Sequence, residues 1–249
     1  FLTVERKHHS MSNIRADKFL ASCMGITRTE AKKAIRQKRF SSDAGIISNS
    51  DDKIDSNLSY YYDKKPIQYE EYSYFLFHKP AGCVSATKDN LHKTVLDFMP
   101  KDYKELFPVG RLDIDTTGLM LITNDGQLAH DLLSPSKHVT KIYEAQIDGI
   151  VDETDVNLFQ EGFDYGEEKK SKSAQLQIIS TNLSNQTSLI HLTLTEGKFH
   201  QVKRMFLHIN KPVLSLKRIS FGPFVLEDSL AEGSYRKLTN EEIQLIKEN

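Results

Sequence analysis

Cysteine is scarce. The 249 residues hold two, Cys23 and Cys83, far apart and in no CxxC pair. That excludes a disulfide scaffold and fits a reducing cytoplasm, with both thiols as small core residues. Long apolar runs are absent, and the longest fall well short of the ~20 residues a membrane helix requires. No charged-then-apolar start marks a secretory leader. The nine histidines include no HExxH and no Cys/His cluster, so no metal is expected. No phosphate-loop motif, internal repeat or low-complexity tract is present. A chain of this length buries roughly 70–75% of its unfolded surface and needs no covalent staples.

Net charge of one sign is also absent, at −1 overall, but the average hides segregation. Between Arg15 and Arg39 lie eight basic residues, Arg15, Lys18, Arg28, Lys32, Lys33, Arg36, Lys38 and Arg39, against the acids Asp17 and Glu30. From Phe40 to Tyr72 the balance reverses, with seven acids and three lysines. A local excess of that kind is what a phosphate-binding surface needs. Residues 1–10, ahead of Met11, read as a tag or upstream remnant. "RADKFLASCM" (15–24) has the pattern of a short amphipathic helix ended by Gly25. "TRTE" (27–30) is a capping box, opening a second helix with Ala31, Ala34 and Ile35 on one face and the basic residues on the other. Short strands follow, and "YYYDKKPIQYEEY" (60–72) reads as the end of this small unit and a linker. The expected small domain spans 11–70.

The expected second domain spans 73–249. "SYFLFHKPAG" (73–82) is a strand halted by Pro80 and Gly82, and "LMLITN" (119–124) is a short buried strand. "DGQLAHDLLS" reads as a helix, and "KIYEAQIDG" (141–149) and "TSLIHLTLTE" (187–196) alternate as strands do. "FHQVKRMFLHI" (199–209) carries Val202, Met205, Phe206 and Ile209 at helical spacing, and "TNEE" (239–242) caps a last helix. Strands and helices mix without a βαβ repeat. The expected class is α+β, with a mixed, largely antiparallel sheet flanked by helices.

"GRLDIDTTG" (110–118) sets Asp113 and Asp115 two positions apart. A calcium loop fails, because its twelfth position falls on Asn124 rather than a bidentate acid. A DxDxT phosphatase matches the letters, but that motif normally ends an N-terminal apolar strand, and no downstream acidic pair offers itself for Mg²⁺. The third use is a carboxylate acting at a glycosidic centre, kept ionised by a nearby cation.

The third use coincides with a resemblance. "GRLDIDTTGLMLITNDG" is similar to the signature of the bacterial small-ribosomal-subunit pseudouridine synthases and their large-subunit relatives. From Met11 onward the likeness is continuous. "RADKFLASCMGITRTEAKKAIRQKRF" resembles an S4-type RNA-binding domain. "FHKPAGCVSAT", "SPSKHVTKIYEAQIDG", "LTEGKFHQVKRMF" and "VLSLKRISFGPF" resemble further segments of the catalytic domain, in order. The resemblance implies Asp113 as the catalytic carboxylate, with Tyr143 packed on the target base. It implies a cation beside the carboxylate, Lys203, where many members carry arginine; Arg204 is the alternative. On the helical reading of 199–209, His200 shares a face with both. Arg111 is assigned to RNA positioning or loop bracing, Leu216 to the apolar lining of the base pocket, and Asp115 only to turn hydrogen bonding.

The implied reaction breaks the uracil N1–C1′ bond, turns the base and rejoins it through C5. It involves no net redox change, so no cofactor is expected. The uridine must be flipped out of its stack. The implied substrate is 16S rRNA, free or in an assembling small subunit, at a uridine-516 type site in the cytoplasm; a monomer is the default expectation, with oligomeric state left open by the sequence. The small-subunit choice leans on "SPSKHVTKIYEAQIDG". A 23S rRNA target, a non-catalytic assembly factor binding rRNA through the S4-like unit, and the phosphatase are the alternatives. Phosphate contacts from the small domain would come from Arg15, Lys18, Arg28, Lys32, Lys33, Arg36 and Arg39.

Overall fold

The structure is a computed structural model that describes residues 13–101, 103 and 105–247. Residues 1–10 and Met11 lie outside it. The chain divides into two compact units. One holds the described residues up to Tyr72 with the short stretch about Lys101. The other holds 73–100 and the residues from Glu105 onward. Among the described residues no helix is long and apolar enough to cross a membrane.

The small unit runs β1 (Asn13–Arg15), α1 (Ala16–Met24), α2 (Arg28–Arg36), β2 (Phe40–Ser42), β3 (Gly45–Ile46), β4 (Lys53–Asp55), β5 (Tyr60–Tyr62) and β6 (Lys65–Ile67). Gly25 ends α1 in the left-handed region at φ 64°. The Thr27–Glu30 capping box opens α2: the Thr27 amide donates to Glu30 Oε2 at 2.7 Å, and the Glu30 amide donates to Thr27 Oγ1 at 3.2 Å. Phe19, Leu20, Ala31, Ile35, Phe40 and Tyr60 are buried together beneath the two helices. The 60–72 stretch, expected to end this unit and lead into a linker, folds into the unit as far as Tyr69. β5 and β6 form a hairpin in a four-stranded sheet of order β3-β2-β5-β6, and Tyr69 stacks on Phe19 at 5.1 Å. Pro66 causes no conflict because β6 is the outer strand, where a missing amide costs no ladder bond.

The large unit runs β7 (Tyr74–Lys79), β8 (Phe107–Pro108), β9 (Thr117–Thr123), α3 (Gly126–Leu133), β10 (Lys141–Asp148), α4 (Glu153–Glu161), β11 (Gln175–Asn182), β12 (Thr187–Leu194), α5 (Gln201–His208), β13 (Val213–Phe221), β14 (Phe224–Val225), β15 (Tyr235–Lys237) and α6 (Asn240–Lys247). The main sheet has the order β11-β12-β10-β13-β9-β7-β15. Every pairing in it is antiparallel except β9 with β13. The class is therefore α+β. β7 is buried along its whole length and β9 from Gly118 onward, which is why residues 74–77 and 119–122 read as unbroken apolar runs. β12 alternates because one face is more open. Leu76, Leu119 and Leu121 pack with Leu128 and Ala129 of α3 and Ile246 of α6. Each such leucine contributes about 1.5–3 kcal/mol on burial. On another part of the unit, Phe159 of α4 meets Phe206 of α5 at 4.9 Å. This sheet holds the start of β9, and hence Asp113, beside β13, with β10 on the far side of β13.

Candidate active site

Asp113 lies on the loop that enters β9. The loop is short, and its backbone is tied at Leu112, Asp113, Ile114 and Thr116. The Thr116 amide donates to the Asp113 carbonyl at 3.1 Å, and the Gly82 amide donates to Ile114 at 2.7 Å. Ser85 Oγ donates to the Leu112 carbonyl at 2.8 Å and accepts from the Leu112 amide at 2.9 Å. Lys79 is fully buried, and its Nζ donates to the carbonyls of Thr116, Pro80 and Ile114 at 2.8, 3.0 and 3.3 Å. Burial lowers the Lys79 pKa. The "HKPAG" segment therefore braces the aspartate loop from below. Sequence reasoning missed Lys79 and Ser85, because a buried lysine is legible only once its carbonyl partners are in place.

Gly118 fixes the other side of the loop. It pairs with Arg218 where β9 runs parallel to β13, at φ 115°. A Cβ there would sit 2.2 Å from the Arg218 carbonyl oxygen. Only glycine lets the two backbones approach so closely. Arg218 is buried, and its Nε donates to the Leu119 carbonyl at 2.8 Å.

The carboxylate faces two bases from the start of α5. Asp113 Oδ2 is 3.2 Å from Lys203 Nζ, and Asp113 Oδ1 is 3.1 Å from His200 Nε2. Lys203 also donates to Asp115 Oδ1 at 2.6 Å. Lys203 thus bridges both aspartates. Burial works to lower its pKa, but the bonds to Asp115 and Asp113 outweigh this and raise it. The same hydrogen bond lowers the Asp115 pKa. Turn hydrogen bonding alone was an incomplete account of Asp115. His200 is corrected too: it is not within the helix but is its N-cap residue, in the left-handed region at φ 48°. That conformation, not a shared helical face, accompanies the approach of its ring to Asp113.

The remaining expected residues divide. Arg111, Asp113, Tyr143, His200, Lys203 and Leu216 line one pocket, with Thr116. Tyr143 is almost buried at 9% exposure, and a register shift in the β10–β13 ladder falls between Ile142 and Tyr143. Such an irregularity re-aims a side chain at a site. Leu216 pairs with Ala145 across the same ladder. Arg204 is not with them. It is one residue beyond Lys203, about 100° further round the helix, and its guanidinium is taken by Glu167 and the Gly166 carbonyl, the latter at 2.9 Å. The pairing of Asp113 is with Lys203, not Arg204.

In the small unit several expected phosphate contacts are already engaged. Asp17 is buried and receives Arg28 at 2.7 Å, Arg15 at 3.0 Å and Lys32 at 3.8 Å. Burial works to raise the Asp17 pKa, but Arg15 and Arg28 hold it at about 2. Arg39 pairs with Asp63 at 2.5 Å and lies over the Tyr62 ring. Lys18, Lys33 and Arg36 have no ion-pair partner among the described residues. No group of three or more His, Cys, Asp or Glu suited to a metal occurs among the described residues.

The geometry has counterparts in known proteins. Residues 73–208 match the family model described as RNA pseudouridylate synthase. An uncharacterised RNA pseudouridine synthase of Bacillus subtilis, YtzG, is 40% identical over 240 residues, covering 94% of this chain and 99% of the relative. The ribosomal small subunit pseudouridine synthase A of Salmonella typhimurium is 40% identical over 237 residues, covering 94% and 100%. A crystal structure of a pseudouridylate synthase superposes with a TM-score of 0.64 at 37% identity, over 94% of this chain and 99% of the other. The family model covers part of the large unit, while the relatives and the solved structure cover 94% of the chain and so reach both units. The chain belongs to the RNA pseudouridylate synthase family and is a pseudouridine synthase.

Proposed function

We propose that this chain isomerises one uridine of 16S rRNA to pseudouridine, at the uridine that the sequence resemblance implies. The observation that carries the reading is Asp113, held between Lys203 and His200 in a pocket lined by Tyr143 and Leu216. Asp113 is the carboxylate that acts on the flipped nucleotide, at the ribose or at the base. Lys203 holds that carboxylate in place, and the pair strengthens as RNA displaces water and the local dielectric falls. Tyr143 stacks on the target base, offsetting part of the cost of unstacking it. Leu216 gives the base an apolar wall. Arg111 steadies RNA at the pocket mouth.

The small unit is an S4-like RNA-binding module. It docks structured RNA through phosphates and shape rather than base edges. Lys18, Lys33 and Arg36 carry that contact, while Arg15, Arg28 and Lys32 gather around Asp17. The choice of the small subunit draws on the printed function of relatives such as that of Salmonella typhimurium. The protein works as a monomer in the cytoplasm. Mapping pseudouridine along 16S and 23S rRNA with and without the gene tests the target. Loss of a single 16S pseudouridine is expected. Loss at a 23S site alone would reassign the substrate, and no loss at any site would favour a binding factor.

A further inference from the structure

We propose that the exposed ring of Phe199 is a stacking platform for a nucleobase of the RNA strand beside the flipped uridine. The proposal rests on the RNA reading above and adds a second base site to it. Phe199 sits between two pocket-lining residues, Lys198 and His200, yet its own ring does not line the pocket. It is 72% exposed, far from the burial of the core aromatic rings. It also lies outside the apolar stripe of α5, where Val202, Met205 and Phe206 are buried. Packing of the fold therefore gives no reason for a phenyl group there.

One face of the ring is occupied. The His200 imidazole stacks on it with centroids 3.8 Å apart and planes at 17°. That imidazole is the one whose Nε2 lies 3.1 Å from Asp113. A continuous path runs from the reacting carboxylate through His200 to the outer face of Phe199. The turn that presents the ring is pinned. Gln201 Oε1 accepts from the Lys198 amide at 3.1 Å, Gln201 Nε2 donates to Glu196 at 2.7 Å, and Glu196 accepts from the Lys172 amide at 3.0 Å.

The ligand class follows from where the ring stands. When a nucleotide leaves its stack, the base next to it exposes a face. An aromatic side chain at the mouth of the pocket covers that face with little sequence preference, because every base has a π surface. Tyr143 cannot serve both bases, since it lies almost buried inside the pocket. The two rings take successive bases: Tyr143 the target, Phe199 its neighbour.

The test is steady-state tritium release from 16S rRNA labelled at uridine C5, with Phe199→Ala, Phe199→Leu and Phe199→Trp in the full chain. The ring is exposed, so all three variants keep the fold. Alanine and leucine are expected to raise KM by roughly 10- to 100-fold, with kcat within about threefold, and tryptophan to match or improve on wild type. Three outcomes would overturn the platform: leucine equal to wild type, kcat falling at unchanged KM, or no change in any variant. A wild type that releases no tritium from either free 16S rRNA or assembling small subunits would instead remove the catalytic reading, and the platform beside a flipped uridine with it.

Discussion

Lys203 carries one positive charge and no planar fork, so it cannot grip a single carboxylate through two parallel bonds. The structure gives it two carboxylates instead, Asp113 at 3.2 Å and Asp115 at 2.6 Å. The two have different exposures: Asp113 is 27% exposed and Asp115 is 68%. Asp113→Ala is expected to abolish turnover. Lys203→Met is expected to lower kcat by about 100-fold, the scale for removing one electrostatic contact at a reacting centre. Asp115→Asn is expected to cost less than about tenfold, since an exposed ion pair contributes little. All three are read from single-turnover rates. An Asp115→Asn defect as large as that of Asp113→Ala would contradict this division. The resemblance singles out Asp113, Tyr143 and Lys203 residue by residue in the sequence, and the structure gathers the three in one pocket. The second bond of Lys203 was not, because spacing alone gives no hint of which side chain crosses from another element.

An element's type shows in its apolar period, but its ends are set by contacts the period does not contain. α5 was legible through Val202, Met205 and Phe206, yet it begins at Gln201 rather than Phe199 because His200 adopts a left-handed backbone. The 60–72 stretch reads as the end of the small unit and a linker because it is charged, tyrosine-rich and broken by Pro66; Tyr60 of the β5–β6 hairpin is buried against a partner distant in sequence, Phe19. β9 must begin with glycine at its second residue to run beside β13. Gly118→Ala is expected to destabilise the fold by about 3 kcal/mol or more and to reduce activity, measured by denaturant unfolding and by turnover. At the start of α1, Asp17 has its carboxyl pKa lowered to about 2. A lowered acid pKa stabilises the folded state above the ordinary value, and that gain is lost as pH falls through the folded pKa. The small unit is therefore expected to lose stability between about pH 4 and pH 2. Asp17→Asn should remove most of that pH dependence at a cost of about 1–3 kcal/mol at neutral pH. Unfolding followed by tyrosine fluorescence across the acid range checks both.

At the scale of the whole molecule, a net charge of −1 sits on a chain with one strongly basic segment. Ion pairs within the small unit reduce that excess, leaving Lys18, Lys33, Arg36 and Lys38 without such partners among the described residues, the first three of them expected phosphate contacts. Each alanine substitution at Lys18, Lys33 or Arg36 is expected to weaken rRNA binding and to flatten its salt dependence by about one unit of log–log slope. The α+β class was legible because strands and helices alternate without a βαβ repeat. The order of the main sheet was not, because sequence neighbours such as β9 and β10 are separated by β13, a strand from late in the chain. The central claim concerns Asp113 and the bond made at uridine C5. It is tested most directly by tritium release from rRNA labelled at uridine C5, with EDTA present, comparing wild type with Asp113→Ala. Pseudouridine formation displaces the C5 hydrogen, so the expected result is stoichiometric release by wild type and none by the variant. Equal release by both proteins, or none by either, would contradict the account.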